Sequence, residues 1–261
     1  MSKYQNCFVA FLDILGFESK VMDSISKDKN DTLKTLIETL NICGAFPSIG
    51  MKRSEEQKRF ISVQSRFFSD TIVFFMKENS DDISQLFFII RYLQDRLWEK
   101  KICLRGAVTL GEMYWPYEKE SITLGPALID AYRLESRIAI FPRILVSKKL
   151  HDYLETKNVS ASPYSKAGKL KDFIIKDFDG EYILDLLNKQ VTRKIDEELE
   201  EFKGPEHKDS FTIRLSDGSK SNYKSVVKNV EALIKVNINA DEEKIRQKYQ
   251  WLKSYMDICK E

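Results

Sequence analysis

Asp13 and Asp70 are the two residues of this 261-residue chain whose type and setting best suit chemistry. Asp13 follows the apolar run Phe8-Val9-Ala10-Phe11-Leu12, short enough for a buried strand and too short for a helix. A core strand would rather continue there with Ile or Val. Gly16 comes within a turn and a helical pattern starts after it. Outward-facing backbone N–H groups of the Gly16–Phe17 turn would then adjoin the carboxylate, an arrangement suited to metal and phosphate. Taken alone, Asp13 reads first as an ordinary strand-end residue that caps the next helix. Asp70 lies in a tight turn, Ser69-Asp70, between two strand-like runs, Arg59 to Phe68 and Thr71 to Met76. Two carboxylates converging at a sheet edge do not both ionise cheaply unless a cation lies between them. Magnesium or manganese suits all-oxygen ligands and keeps positions for phosphate oxygens. A pair of such ions can activate a hydroxyl and neutralise a leaving pyrophosphate. Phosphoryl transfer asks for little more than positioning and positive charge, which makes nucleotide chemistry the leading class.

The elements that must hold these residues follow from the hydrophobic pattern. After the first strand, Glu18 to Ile25 reads as helix. Thr32 to Cys43 is amphipathic, with Leu33, Leu36, Ile37 and Leu40 on one face. The segment from Gly44 to Glu56, with Pro47 and Gly50, reads as an exposed loop. The hairpin tipped by Asp70 comes next. Ser80-Asp81-Asp82 then caps a helix reaching Lys100, with Leu86, Ile90, Leu93 and Leu97 on its core face. Cys103 to Leu110 is a strand, followed by Gly111-Glu112 and an aromatic turn from Met113 to Tyr117. A helix runs from Gly125-Pro126 to Ile138, with the proline where helix starts accept it. Arg143 to Ser147 is a strand and Lys148 to Leu154 a helix. Phe173 to Ile175 and Tyr182 to Leu184 close as a hairpin around Asp179-Gly180. This order predicts an α+β protein with a ferredoxin-like core. Residues 1–190 form the expected catalytic domain and 191–261 a charged helical C-terminal extension. The last helix carries an apolar face, Ile245, Tyr249, Leu252 and Met256, that must bury against the body or a partner subunit.

Composition narrows the class further. An apolar content of 43% with 31% charged residues describes a soluble globular chain, and a net charge of +2 does not suggest a nucleic-acid polymer as partner. Cys7, Cys43, Cys103 and Cys259 are scattered, with only His151 and His207 beside them, so zinc and a disulfide framework are both unexpected. No apolar run is long enough for a membrane span, and the start lacks a signal-peptide core. The expected location is cytoplasmic.

Four motifs, in order, carry a resemblance. Phe11-Leu12-Asp13-Ile14-Leu15-Gly16-Phe17 resembles the F-x-D-I-x-G-F motif of class III nucleotidyl cyclases. Phe67-Phe68-Ser69-Asp70 is similar to their second metal motif, with Ser69 in place of the usual Gly. Arg105-Gly106-Ala107-Val108-Thr109-Leu110-Gly111 is similar to their R-x-G-I-x-x-G strand, and the segment from Gly125 to Glu135 to their G-x-x-V-N-x-A-x-R-L-E helix. The resemblance implies two divalent metal ions, Mn2+ or Mg2+, held by Asp13, Asp70 and the Ile14 carbonyl. It implies that Arg133 stabilises the α-phosphate during attack by the ribose 3′-hydroxyl. Lys176, with Lys171 in reserve, is the match to the phosphate-binding lysine. Gly16 and Phe17 complete the expected nucleotide-binding turn. It also implies a homodimer whose composite sites take the metal aspartates from one protomer and the arginine from the other.

Departures from the pattern bear on the substrate. The ribose-contacting asparagine is Ile129 here, and Ile has no hydrogen bond to offer; the neighbouring Asp130 points elsewhere on a helix. At the two base-reading positions stand Arg66 and Ile122. A lone arginine with an apolar companion offers donors only, which suits a base rich in carbonyl acceptors. Uracil has two, cytosine one, adenine none. With this drift the chain resembles the pyrimidine cyclases of bacterial anti-phage (Pycsar) systems. The expected reaction is therefore UTP to 3′,5′-cyclic UMP and pyrophosphate, with CTP the alternative. The product would be a second messenger that activates a separate effector. A nucleotide-binding homologue impaired in catalysis and a ferredoxin-like RNA-binding module are the rivals; the latter lacks the aromatic signature of RNA-recognition strands.

Overall fold

A computed structural model describes residues 4–25, 30–44, 49–51, 61–78, 83–114, 123–159, 169–188 and 223–260. The chain runs β1 (Tyr4–Ile14), α1 (Phe17–Ile25), α2 (Asn30–Gly44), β2 (Ile49–Met51), β3 (Ile61–Phe68), β4 (Thr71–Lys77) and α3 (Ile83–Glu99). It continues with β5 (Leu104–Tyr114), α4 (Pro126–Arg137), β6 (Ile144–Val146), α5 (Lys148–Lys157), β7 (Ile174–Lys176), β8 (Tyr182–Leu184), α6 (Tyr223–Asn237) and α7 (Glu243–Lys260). The strands form a mixed sheet in the order β2-β3-β4-β1-β5-β6-β8-β7. β1 is central and antiparallel to both neighbours, and β5 to β6 is parallel. The α+β, ferredoxin-like class expected from the sequence is what the chain forms.

Alternation along β1 assigns the two faces of the sheet. Phe8, Ala10, Leu12 and Ile14 point into the larger core, against α3, α5, α6 and α7. Cys7, Val9 and Phe11 point the other way, onto Ala127, Leu128 and Ala131 of α4. Asp13 follows this second parity, so its carboxylate comes out on the α4 face. α4 lies so close to β5 that a Cβ on Gly125 would sit 2.6 Å from the Glu112 carbonyl oxygen, which explains the glycine at the helix entry.

Two elements differ from the sequence reading. β2 falls inside the segment expected to be a loop; it is three residues held by backbone pairing to β3, too short to leave a periodicity. β5 does not stop at Leu110. It continues through Gly111 and Glu112 to Tyr114 because β1 begins at Tyr4 and offers it partners along its whole length. The cap at 80–82, the turn at 115–117 and the segment 189–222 lie outside the described residues.

The apolar face of the last helix buries against the body of the chain. Trp251, Leu252, Tyr255 and Met256 of α7, with Val226, Val230, Leu233 and Ile234 of α6, belong to the same core as β1 and α3. No helix among the described residues is long and apolar enough to cross a membrane.

Candidate active site

The end of β1 is held by a lattice of backbone bonds. Asp13 pairs with Thr71 of β4 on one side and Arg105 of β5 on the other. The Ile14 N–H donates to the Asp70 carbonyl at 3.1 Å, and the Leu15 N–H donates to the Cys103 carbonyl at 2.9 Å. The strand end and the hairpin tip therefore move as one piece. Gly16, with φ of 73°, then turns the chain into α1 at Phe17, which packs against the larger core. The first turn of α1 thus starts four residues beyond Asp13.

The hairpin tip carries a backbone tension of its own. Ser69 adopts φ of 56°, the positive value that two-residue hairpin turns demand. A residue with a Cβ gives up about 1–2 kcal/mol there, partly offset by the larger unfolded-state entropy of glycine. Ser69→Gly should raise the melting temperature by about 2–4 °C and leave turnover unchanged. Thermal melts of the two proteins decide it; a lower melting temperature for the glycine variant contradicts the reading.

Side chains close the constellation. The Asp13 and Asp70 carboxyls come within hydrogen-bonding reach of each other. Arg105 Nε donates to Asp13 Oδ2 at 2.8 Å and lies 2.9 Å from Glu135 Oε1 of α4. Glu135 is buried and has no hydrogen-bond donor for that oxygen. Burial pushes the Asp13 carboxyl above the ordinary carboxylate range; Arg105 opposes the shift and Asp70 adds to it. Glu135 is raised for the same first reason, against Arg105, with Asp13 and Asp70 adding. Two acids, Asp13 and Glu135, thus share one guanidinium, with Asp70 beside Asp13.

That arrangement fits a divalent cation. The donors are hard oxygens, they face each other, and their charge is only partly met by Arg105. A protein cage is absent: no cluster of three or more acidic, histidine or cysteine ligands occurs among the described residues. A cation here would draw the rest of its shell from backbone carbonyl, water and substrate phosphate oxygens, as magnesium commonly does.

Arg105 and Glu135 were not singled out by sequence reasoning as site residues. A signal existed for the first, since the register that pairs Asp13 with position 105 puts both on one face. The remaining expected residues scatter. Arg133 is exposed on α4 and makes no ion pair with any described residue; Glu135, two residues on, is held by Arg105. Ile129 is 49% exposed one turn earlier, beside Tyr132 at 52%. Arg66 shares a sheet face with Val73, Phe11 and Asp13, and its guanidinium stands 5.5 Å from the centroid of Phe75. Ile122 lies outside the described residues. Lys176 is exposed on the edge strand β7, four strands from β1, and Lys171 pairs with Glu155 at 2.9 Å.

No protein-family model matches this sequence, and no curated protein matches it. Solved structures do. The chain is similar to the monomeric guanylyl cyclase domain of the RhoGC fusion protein from the aquatic fungus Blastocladiella emersonii: 15% identity, 70% of this chain and 96% of that one, TM-score 0.40. The catalytic core of a rhodopsin-guanylyl cyclase with converted specificity, in complex with ATPαS, matches at 16% identity, 70% and 98% coverage and TM-score 0.40. A class III adenylyl cyclase-like ATP-binding protein from Pseudomonas aeruginosa matches at 15% identity and TM-score 0.43, over 71% of this chain but 39% of that one.

Proposed function

We propose that this protein cyclises a nucleoside triphosphate, and specifically that it converts UTP to 3′,5′-cyclic UMP and pyrophosphate. The observation that carries the reading is the meeting of Asp13 and Asp70 at one strand end, with Arg105 between Asp13 and Glu135. In the reaction, the ribose O3′ forms a bond to the α-phosphorus. The bond from that phosphorus to the oxygen of the β-phosphate breaks, pyrophosphate departs, and the 3′-hydroxyl proton is lost. Bound divalent cations, Mn2+ or Mg2+, would lower the pKa of the attacking hydroxyl and neutralise phosphate charge.

The chain's own groups supply the rest. Asp13 and Asp70 would hold the cations on the strand-and-turn frame. Arg105 orients Asp13 and faces the incoming phosphates. Arg133, exposed and without an ion partner among the described residues, serves the α-phosphate bound by a second copy, with Lys176 as the candidate second contact. The exposed apolar groups Phe67, Phe68, Ile129 and Tyr132 support a homodimer whose two sites are composite. Arg66, on the same sheet face as Asp13, reads base carbonyls with donors alone, which favours uracil over cytosine. The motif resemblance to anti-phage pyrimidine cyclases supports a product that acts as a second messenger for a separate effector.

The test is direct. An equimolar mixture of the four NTPs with Mn2+ should yield cyclic UMP as the dominant product by mass spectrometry. Dominant cyclic CMP would select the cytidylate alternative. Tight UTP binding with no cyclic product would favour a non-catalytic homologue, the reading to which exposed Ile129 in place of a ribose-binding asparagine points.

A further inference from the structure

The buried side of α4 is a stripe of three residues at four-residue spacing, Ala127, Ala131 and Glu135. The two alanines share a core cluster with Cys7 and Val9 of β1. A Cβ on Gly111, the register partner of Cys7 in β5, would stand 3.2 Å from the Ala127 Cβ, so the helix runs close to the sheet. The stripe continues toward the strand end, and its third member is an acid. Glu135 is 4% exposed, and its carboxyl meets Arg105, the register partner of Asp13. A third alanine would fill that position without burying a charge.

Arg105 is one donor with two claimants. Its Nε stands 2.8 Å from Asp13 Oδ2 and 2.9 Å from Glu135 Oε1. That nitrogen carries a single hydrogen. The hydrogen is directed at Asp13, and Glu135 Oε1, although buried, is left without a hydrogen-bond donor. An orphaned buried acceptor is costly. This one already lies at hydrogen-bond distance from the nitrogen, so a tilt of the guanidinium transfers the bond with no travel of strand or helix. A positive charge at Asp13 would drive that tilt, because a cation held by Asp13 and Asp70 draws on the same carboxylate and repels the guanidinium.

We infer that Glu135 is a positioning residue for cation binding, the acceptor that takes over Arg105 when a divalent cation takes the Asp13 carboxylate. As the cation binds, the Nε–H passes from Asp13 to Glu135, and the guanidinium keeps a partner throughout. Without Glu135 the cation competes with an Arg105 that has no second place to go, and its affinity falls. This rests on the cation reading of the site in the proposed function, and not on which nucleotide is cyclised.

Mn2+ alone is the probe, its binding to the full chain read by electron paramagnetic resonance. Asp13→Asn should abolish tight binding, which fixes the site being read. Glu135→Gln keeps the shape and removes the charge; Glu135→Asp keeps the charge and withdraws it by one methylene. Each should weaken Mn2+ binding by about 10–100-fold, as losses behind a metal ligand commonly do. Glu112→Gln, exposed on the same strand as Arg105, should have no effect. In an Arg105→Gln background there is no bond to transfer, and Glu135→Gln should then cost less than about twofold. Where an NTP is turned over, the Mn2+ concentration for half-maximal rate should rise in both Glu135 variants, with kcat at saturating Mn2+ close to that of the wild type. Two variants keep the test open should thermal melts show one of them unfolded. Unchanged Mn2+ affinity in either folded variant overturns the inference, as does an equal loss in the Arg105→Gln background or failure of the wild type to bind Mn2+. Binding that depends on Glu135 in a chain that cyclises no NTP leaves the inference standing and removes the cyclase reading. Cyclic product from Glu135→Gln at the wild-type Mn2+ requirement does the reverse.

Discussion

Asp13→Asn should abolish cyclic nucleotide formation, by about a thousandfold or more, and should melt higher than the wild type at neutral pH without divalent cations. The two effects come from one cause. Burial raises the Asp13 carboxyl against the opposition of Arg105, with Asp70 adding to the rise. A carboxyl whose folded-state pKa lies above its unfolded value contributes stability that is complete below the unfolded pKa. That contribution is lost as pH rises through the folded one. At pH 7.5 the wild type carries the full cost of an ionised, crowded Asp13, and the isosteric amide does not. The gap in melting temperature should therefore widen from pH 4 to pH 7.5. It should close when Mn2+ is added, because only the acid gains from the cation. Asp70→Ala should share the loss of turnover. A metal-free Asp13→Asn protein that melts below the wild type at pH 7.5 would contradict this account of the site.

Mixing two dead proteins should restore activity. If Asp13 and Arg133 act from opposite protomers, Asp13→Ala and Arg133→Ala homodimers each have two broken sites. Each heterodimer of the two has one site carrying both lesions and one carrying neither. Random exchange makes half the dimers mixed, so the mixture should reach about a quarter of wild-type turnover. The exposed position of Arg133 and its lack of an ion partner among the described residues motivate the experiment. An activity in the mixture no greater than that of either variant alone, with exchange verified, would mean that the arginine works within one chain or not at all. The same assay with Lys176→Ala in place of Arg133→Ala asks whether the edge-strand lysine also serves the partner's site.

Much of the scaffold was legible because it depends on local signals. Phe8 to Leu12 announced β1 by its length and polarity, and Gly16 marked the turn after it. Pro126 announced the start of α4, and Ser69-Asp70 divided the hairpin. Each of these reads within a window of a dozen residues. The site was half legible for the same reason. Asp13 and Asp70 stood out as acids at the edges of apolar runs. Arg105 and Glu135 did not, because their meaning lies in a contact that joins β1, β5 and α4 across wide gaps in the chain.

The tyrosine that fastens α7, Tyr255, has a consequence for biosynthesis. Its hydroxyl holds two groups about seventy positions upstream, Asp185 and the Leu187 amide. Contacts of such span form late, since loop closure must precede any reward from them. As the ribosome extrudes the chain, the carboxylate pair at the end of β1 and in the β3–β4 turn can assemble while the seat for the last helix is still bare. Until residues 243–260 emerge, the nascent chain leaves that apolar seat uncovered, a surface open to self-association.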